Sequence, residues 1–89
     1  MKAVLTVVGK DSVGILAKVS GECAKYNVNI IEVSQTILQD MFCMIMMGDV
    51  DNLNVPFGQF SDAMSQLGYE INMVVHVMHE DIFNSMHRI

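Results

Sequence analysis

The residues best suited to chemistry lie in the stretch Gly9-Lys10-Asp11-Ser12-Val13-Gly14. Two glycines bracket one carboxylate and one hydroxyl, and an apolar helical pattern follows directly. The first backbone N–H groups of a helix have no intrahelical partners, so such an end attracts polar and anionic groups. Asp11 has two readings. Its carboxylate can grip an α-amino group while N–H groups of the helix start hold the accompanying carboxylate. Alternatively it only stabilises the helix end, a contribution of about 0.3–1 kcal/mol. Ser12 reads first as an N-cap. Gly14 allows close approach of the backbone either to a ligand or to a neighbouring chain. Asn29, which opens the second strand pattern beside Ile30, reads on its own as a turn residue that tolerates unusual backbone angles.

Catalysis and metal binding find less support. General acid–base or nucleophilic chemistry needs two groups within hydrogen-bond reach. The loop offers Asp11 and Ser12 with no histidine or arginine beside them, and the single arginine, Arg88, stands at the far end of the chain. The expected protein is therefore not an enzyme and uses no cofactor. His76 and His79 are three apart, which on a strand sends them to opposite faces. A metal needs convergent ligands, so neither this pair nor His87 in the tail predicts a site. Met41, Met44, Met46 and Met47 with Cys43 suggest soft-metal ligation, as for Cu(I), but methionine serves far more often as an adaptable core filler.

The elements that position these residues belong to one domain, since 89 residues leave no room for a second. Hydrophobic residues make up 52% and charged residues 17%, which is more apolar material than one small core needs. A second copy of the chain is the expected place to hide the surplus. Net charge is −5 with only five Lys and Arg, so clustered cations for a phosphate backbone are missing and nucleic acid is not an expected partner. Lys10, Lys18 and Lys25 read as a solvated face. Cys23 and Cys43 form no C-x-x-C pair and read as free thiols of a reducing cytoplasm. The chain starts straight into a strand with no signal-peptide pattern, and its apolar runs are too short to span a membrane.

Periodicity places the first strand at about Lys2 to Val8, apolar on both alternating sets and hence central. A helix from about Val13 to Tyr26 buries Ile15, Leu16, Val19 and Cys23, with Gly21 permitting tight helix–sheet contact. The second strand, Asn29 to Leu38, alternates Ile31, Val33 and Ile37 with polar residues, the pattern of an edge strand with one buried face. Gln39-Asp40 makes a tight hairpin into a third, central strand from Met41 to Val50. Pro56 fits the first turn of a second helix, with Phe57, Phe60, Met64 and Leu67 as its stripe and Gly68 as its terminating cap. A fourth strand spans about Tyr69 to Met78, with Ile71, Met73, Val75 and Val77 as its inner set. The domain is set at residues 1–78, and residues 79–89 form an amphipathic tail in which Ile82, Phe83, Met86 and Ile89 share a side.

The order β-α-β-β-α-β, plus a short C-terminal helix, predicts an α+β ferredoxin-like sandwich. Its four-stranded antiparallel sheet carries two helices on one face. Val4, Val8, Val74 and Met78 fall on the other face, where the tail or a neighbouring subunit is expected to cover them. Small acylphosphatases share this topology but need an arginine in the first loop. An RNA-binding sheet would show aromatics on its central strands with basic flanks; the third strand has Phe42 and no such flank.

The runs V-V-G-K-D-S-V-G-I-L-A-K-V-S and N-V-N-I-I-E-V-S-Q-T resemble those of ACT domains, the small ligand-sensing modules of amino-acid metabolism. The resemblance covers about Ala3 to Met78 and is nearest to small stand-alone ACT proteins related to the glycine-cleavage repressor. It implies a homodimer, often paired side by side into one eight-stranded sheet. It also implies a regulatory module that binds an amino acid between the first loop of one subunit and the start of strand two of the other. Carried onto this sequence, the ligand-binding residues are Asp11, Ser12, Val13 and Gly14 with Asn29 and Ile30. Two departures stand out: Val13 replaces the proline of many members, and Gly9 replaces the histidine of some amino-acid binders. The competing expectation is a ligand-free interaction module that docks a metabolic enzyme or regulator.

Overall fold

A computed structural model of the chain describes residues 1–86. His87, Arg88 and Ile89, including the tail's last apolar position, lie outside the described residues. The strands are β1 (Lys2–Lys10), β2 (Asn29–Leu38), β3 (Met41–Asp49) and β4 (Met73–His79), and the helices are α1 (Ile15–Lys25), α2 (Phe57–Glu70) and α3 (Glu80–Met86). The sheet runs β2-β3-β1-β4 with every neighbouring pair antiparallel. This is the ferredoxin-like arrangement, with the two strands that are apolar on both faces at its centre.

The pleat sorts β1 into two sets. Ala3, Leu5 and Val7 join the main core with Met44 and Met46 of β3, Met73 and Val75 of β4, Ile15, Val19 and Cys23 of α1, and Phe60 and Met64 of α2. Tyr26 closes one end of this core edge-on against Phe60, with ring centroids 5.7 Å apart. Val4 is only 1% exposed yet stands outside that cluster. It points to the opposite face, as alternation requires.

Several expectations are corrected. Helix α1 begins two residues later than its pattern suggests, with Gly14 as N-cap and no side-chain cap bond. Ser12 is therefore not the cap, because the left-handed turn at Gly14 separates it from the first helical residue. Leu16 is exposed, since the buried stripe follows the i, i+4, i+8 line Ile15, Val19, Cys23. Gly21 faces open space and mediates no close contact. Gly68 does not end α2. It lies buried within the helix, where an added Cβ would come 2.8 Å from the Met73 carbonyl oxygen and from Val75 Cγ2. The helix continues to Glu70, so β4 starts at Met73 rather than Tyr69, after Asn72 turns the chain at φ +60°.

Strand β2 is an edge strand, but its apolar residues Ile31, Val33 and Ile37 are all exposed. The cause is geometric. Helix α2 packs chiefly on β4 at the opposite edge and α1 touches β2 only lightly, and an irregularity between Ile30 and Glu32 leaves Ile31 without a partner in the ladder. In the tail, only Phe83 of the three described apolar residues is half-buried, whereas Ile82 and Met86 are exposed. The tail reaches the open sheet face at one end only: Val4 is covered, while Val8 is 40% and Val74 58% exposed.

Candidate functional site

The first loop leaves β1 beside the β2–β3 hairpin. The Asp11 backbone N–H donates to the Asp40 carbonyl at 2.8 Å, which pins the loop to the hairpin. Gln39 turns that hairpin at φ +60°, a conformation side chains resist and that normally favours glycine or asparagine. Lys10, Asp11 and Ser12, with Ile71 and Asn72 from the α2–β4 connection, line a cavity of about 400 Å³. Among the described residues no side-chain ion pair engages the Asp11 carboxylate. Val13 is 96% exposed at the tip of the loop.

Gly14 has φ +86°, and an added Cβ would meet nothing within 4 Å. Its need for glycine is thus conformational. Its carbonyl accepts the first helical bond, from Lys18 N–H at 3.0 Å. The N–H groups of Ile15, Leu16 and Ala17 consequently have no partner in their own helix. The loop presents a carboxylate, a hydroxyl and free amide donors on an exposed corner, a combination suited to a small molecule carrying both charges.

Gly9 is decided differently. A Cβ there would fall 2.7 Å from the Asn72 carbonyl oxygen and 2.7 Å from Met73 Sδ. No side chain fits, so the missing histidine follows from the tight approach of β4.

Asn29 and Ile30 lie elsewhere. They pair with Asp49 and Gly48, at the opposite end of β3 from Met41, which pairs with Lys10. The eight residue steps from Met41 to Asp49 span about 26 Å. Asn29 shares a separate cavity of about 680 Å³ with Asn27, Asn52 and Leu53. One chain therefore brings Asp11, Ser12, Val13 and Gly14 together and holds Asn29 and Ile30 at the far end of the sheet. The residues that sequence reasoning missed are Ile71 and Asn72 in the first cavity and Asn27 and Asn52 in the second. Asn72 was hidden by reading β4 as starting four residues too early; once α2 is carried to Glu70, its place in a turn follows.

The remaining reactive groups are set apart. Cys23 is fully buried, and burial pushes its thiol up to about 11, with the Glu22 carboxylate adding to the effect. That direction opposes nucleophilicity at neutral pH. Cys43 is half-buried on the other sheet face, beside Val8. His76 stands opposite Thr6 and His79 opposite Ala3, which places them on opposite faces. The His79 ring stacks on Phe57 with centroids 4.1 Å apart, and its Nδ1 is buried without a hydrogen-bond partner. No helix among the described residues is long and apolar enough to cross a membrane.

Comparison with known proteins agrees with this fold. A family model described as the ACT domain matches residues 2–78. A UPF0237 protein of Listeria innocua is 44% identical over 89 residues, covering all of both chains. An ACT domain protein from Streptococcus pneumoniae superimposes with a TM-score of 0.82 at 36% identity, covering 93% of each chain. A protein assigned as a glycine cleavage system transcriptional repressor superimposes with a TM-score of 0.72 at 20% identity over 85% of this chain and 43% of its own. At that identity the likeness concerns the fold.

Proposed function

The chain belongs to the ACT domain family, and from that premise we propose that it is a cytoplasmic, non-catalytic regulatory module. In this reading it pairs with a copy of itself and binds an amino acid where the two copies meet. The observation that carries the reading is the separation of Asp11 to Gly14 from Asn29 and Ile30 along the sheet. Within one chain these residues are too far apart to hold one small ligand. Strand β2 is an exposed edge, with unpaired backbone groups and the apolar side chains of Ile31, Val33 and Ile37 at the surface. Antiparallel pairing of β2 with the β2 of a copy would set the start of one beside the end of the other. That end carries the hairpin to which Asp11 is pinned. Asn29 of one subunit then lies at the same end of the joint sheet as the partner's first loop. Asp11 would take the ammonium group, and the free N–H groups at the start of α1 would take the carboxylate.

A ligand held between subunits stabilises the folded dimer by linkage, by about 2.7 kcal/mol at a hundredfold excess over Kd. Thermal-shift screening against the twenty amino acids, with native mass spectrometry of the same sample, tests the reading. The expected result is a dimer that one or a few amino acids stabilise, and loss of that response in Asp11→Ala. A monomer with no response at millimolar ligand would overturn it.

A further inference from the structure

Between the C-terminal helix and the open face of the sheet lies a cavity of about 230 Å³. Val4, Ile45, Met47 and Phe83 give it apolar walls, and Glu32 and Ser34 border it on the β2 side. The register explains the grouping. Glu32, Met47 and Val4 are aligned across β2, β3 and β1, and Ser34 and Ile45 form the next row on the same face. The tail seals Val4 completely but leaves Ile45 47% exposed, so the cavity opens where the cover of Phe83 ends. The Glu32 carboxylate is exposed and has no ion pair among the described residues.

We propose that this cavity binds a small organic cation with an apolar body, an ammonium group on a single ring or short alkyl chain, with Phe83 as its lid. Three features select that chemistry. The walls remove apolar surface from water, and the methionine thioether of Met47 adapts to an aromatic or aliphatic guest. The volume lies below the range of about 300–1,000 Å³ typical of pockets for drug-sized ligands, so the guest is correspondingly smaller. Among the described lining residues the one charged group is the Glu32 carboxylate, on a chain whose net charge is −5. It attracts a cation and disfavours a free carboxylate on the guest. The site lies across the sheet from α1 and shares no residue with the loop at Asp11. It stands whether or not that loop binds an amino acid.

The test uses three guests that share a phenethyl group and differ in charge: phenethylamine, 2-phenylethanol and 3-phenylpropionate. Binding is read from the methyl resonances of Ile45 and Met47 in ¹H–¹³C spectra of the full chain. Phenethylamine is expected to saturate these shifts about fivefold more tightly than the alcohol, the factor a close charge pair gives in water, and phenylpropionate to give no saturation. Glu32→Gln should bring amine and alcohol to nearly equal affinity, Ile45→Trp should fill the cavity and abolish binding, and Asp11→Ala should change nothing. Should the tryptophan variant fail to fold, Phe83→Ala serves instead and weakens all binding by removing the lid. Equal affinity for all three guests, silence at Ile45 and Met47, or sensitivity to Asp11→Ala overturns the proposal. So does a change of subunit count in Ile45→Trp, which would assign the face to a second copy of the chain.

Discussion

The Asp11 N–H and the Asp40 carbonyl, 2.8 Å apart, join the first loop to the tip of the β2–β3 hairpin. This bond ties the loop to the end of the edge strand, although Asp11 and Asp40 are far apart in sequence.

The bond separates a structural from a ligand role at Asp11. Asp11→Ala keeps the backbone donor and removes an exposed carboxylate, so stability should change by no more than about 0.5 kcal/mol. Asp11→Pro removes the donor and should cost about 1–2 kcal/mol by leaving the Asp40 carbonyl unpaired. Urea denaturation of both variants, set beside their response to amino acids, checks this. Loss of stability in Asp11→Ala equal to that in Asp11→Pro would show that the side chain, not the backbone, holds the loop.

The two glycines of the loop should fail for different reasons. At Gly14 the backbone sits at φ +86° with free space around it, so Gly14→Ala costs about 1–2 kcal/mol through conformation alone, and Gly14→Asn costs less. At Gly9 the obstacle is the Asn72 carbonyl and Met73. Gly9→Ala should cost about 1–3 kcal/mol as β4 is forced outward. Asparagine should bring no relief there. Thermal unfolding distinguishes the two, since about 1 kcal/mol moves Tm by about 4–8 °C in a domain of this size.

Val33 on the exposed edge tests self-association. A lysine in the middle of an edge strand opposes pairing with another strand and costs little in the monomer. Val33→Lys is expected to yield a folded species of single-chain mass in size exclusion with light scattering, without response to amino acids. An unchanged dimer in this variant would place the subunit contact elsewhere.

The thiols predict both reactivity and pH dependence. A thiol reagent should label half-buried Cys43 in the native protein and reach Cys23 only after denaturation. The Cys23 thiol titrates at about 11 in the fold against an ordinary value of 9.0. Between those values the unfolded chain has released a proton that the folded chain still holds, so stability falls as pH rises. The contribution is intact below about pH 9, and the full loss of about 2–3 kcal/mol is reached by about pH 11. Cys23→Ala should flatten that limb of the curve in urea titrations at pH 8, 9 and 10.

Much of the fold was legible because apolar spacing is a local property. The double-sided apolarity of β1 and β3 identified them as central, and the ladder agrees. The stripes Val19–Cys23 and Phe60–Met64 identified the buried helix faces. Helix ends were less legible, because Gly14 and Gly68 look alike as glycines. One is used for its φ and the other for the room it leaves beside Val75, and only packing tells them apart. The alternation of Ile31, Val33 and Ile37 implied burial, yet α1 touches that edge only lightly and leaves all three exposed. A hydrophobic pattern states what wants to be covered and not what covers it.

The sequence by itself determined the order of elements, the central and edge strands, the loop that carries Asp11 and the family. These follow from residue types and their period, which act over a few neighbours. Tertiary structure alone decided that Asp11 and Asn29 stand at opposite ends of the sheet, that Gly9 admits no side chain, and that the tail shields Val4 while leaving Val8 and Val74 exposed. Each depends on where distant segments meet, and strand register and helix position are set by the packing of the whole chain.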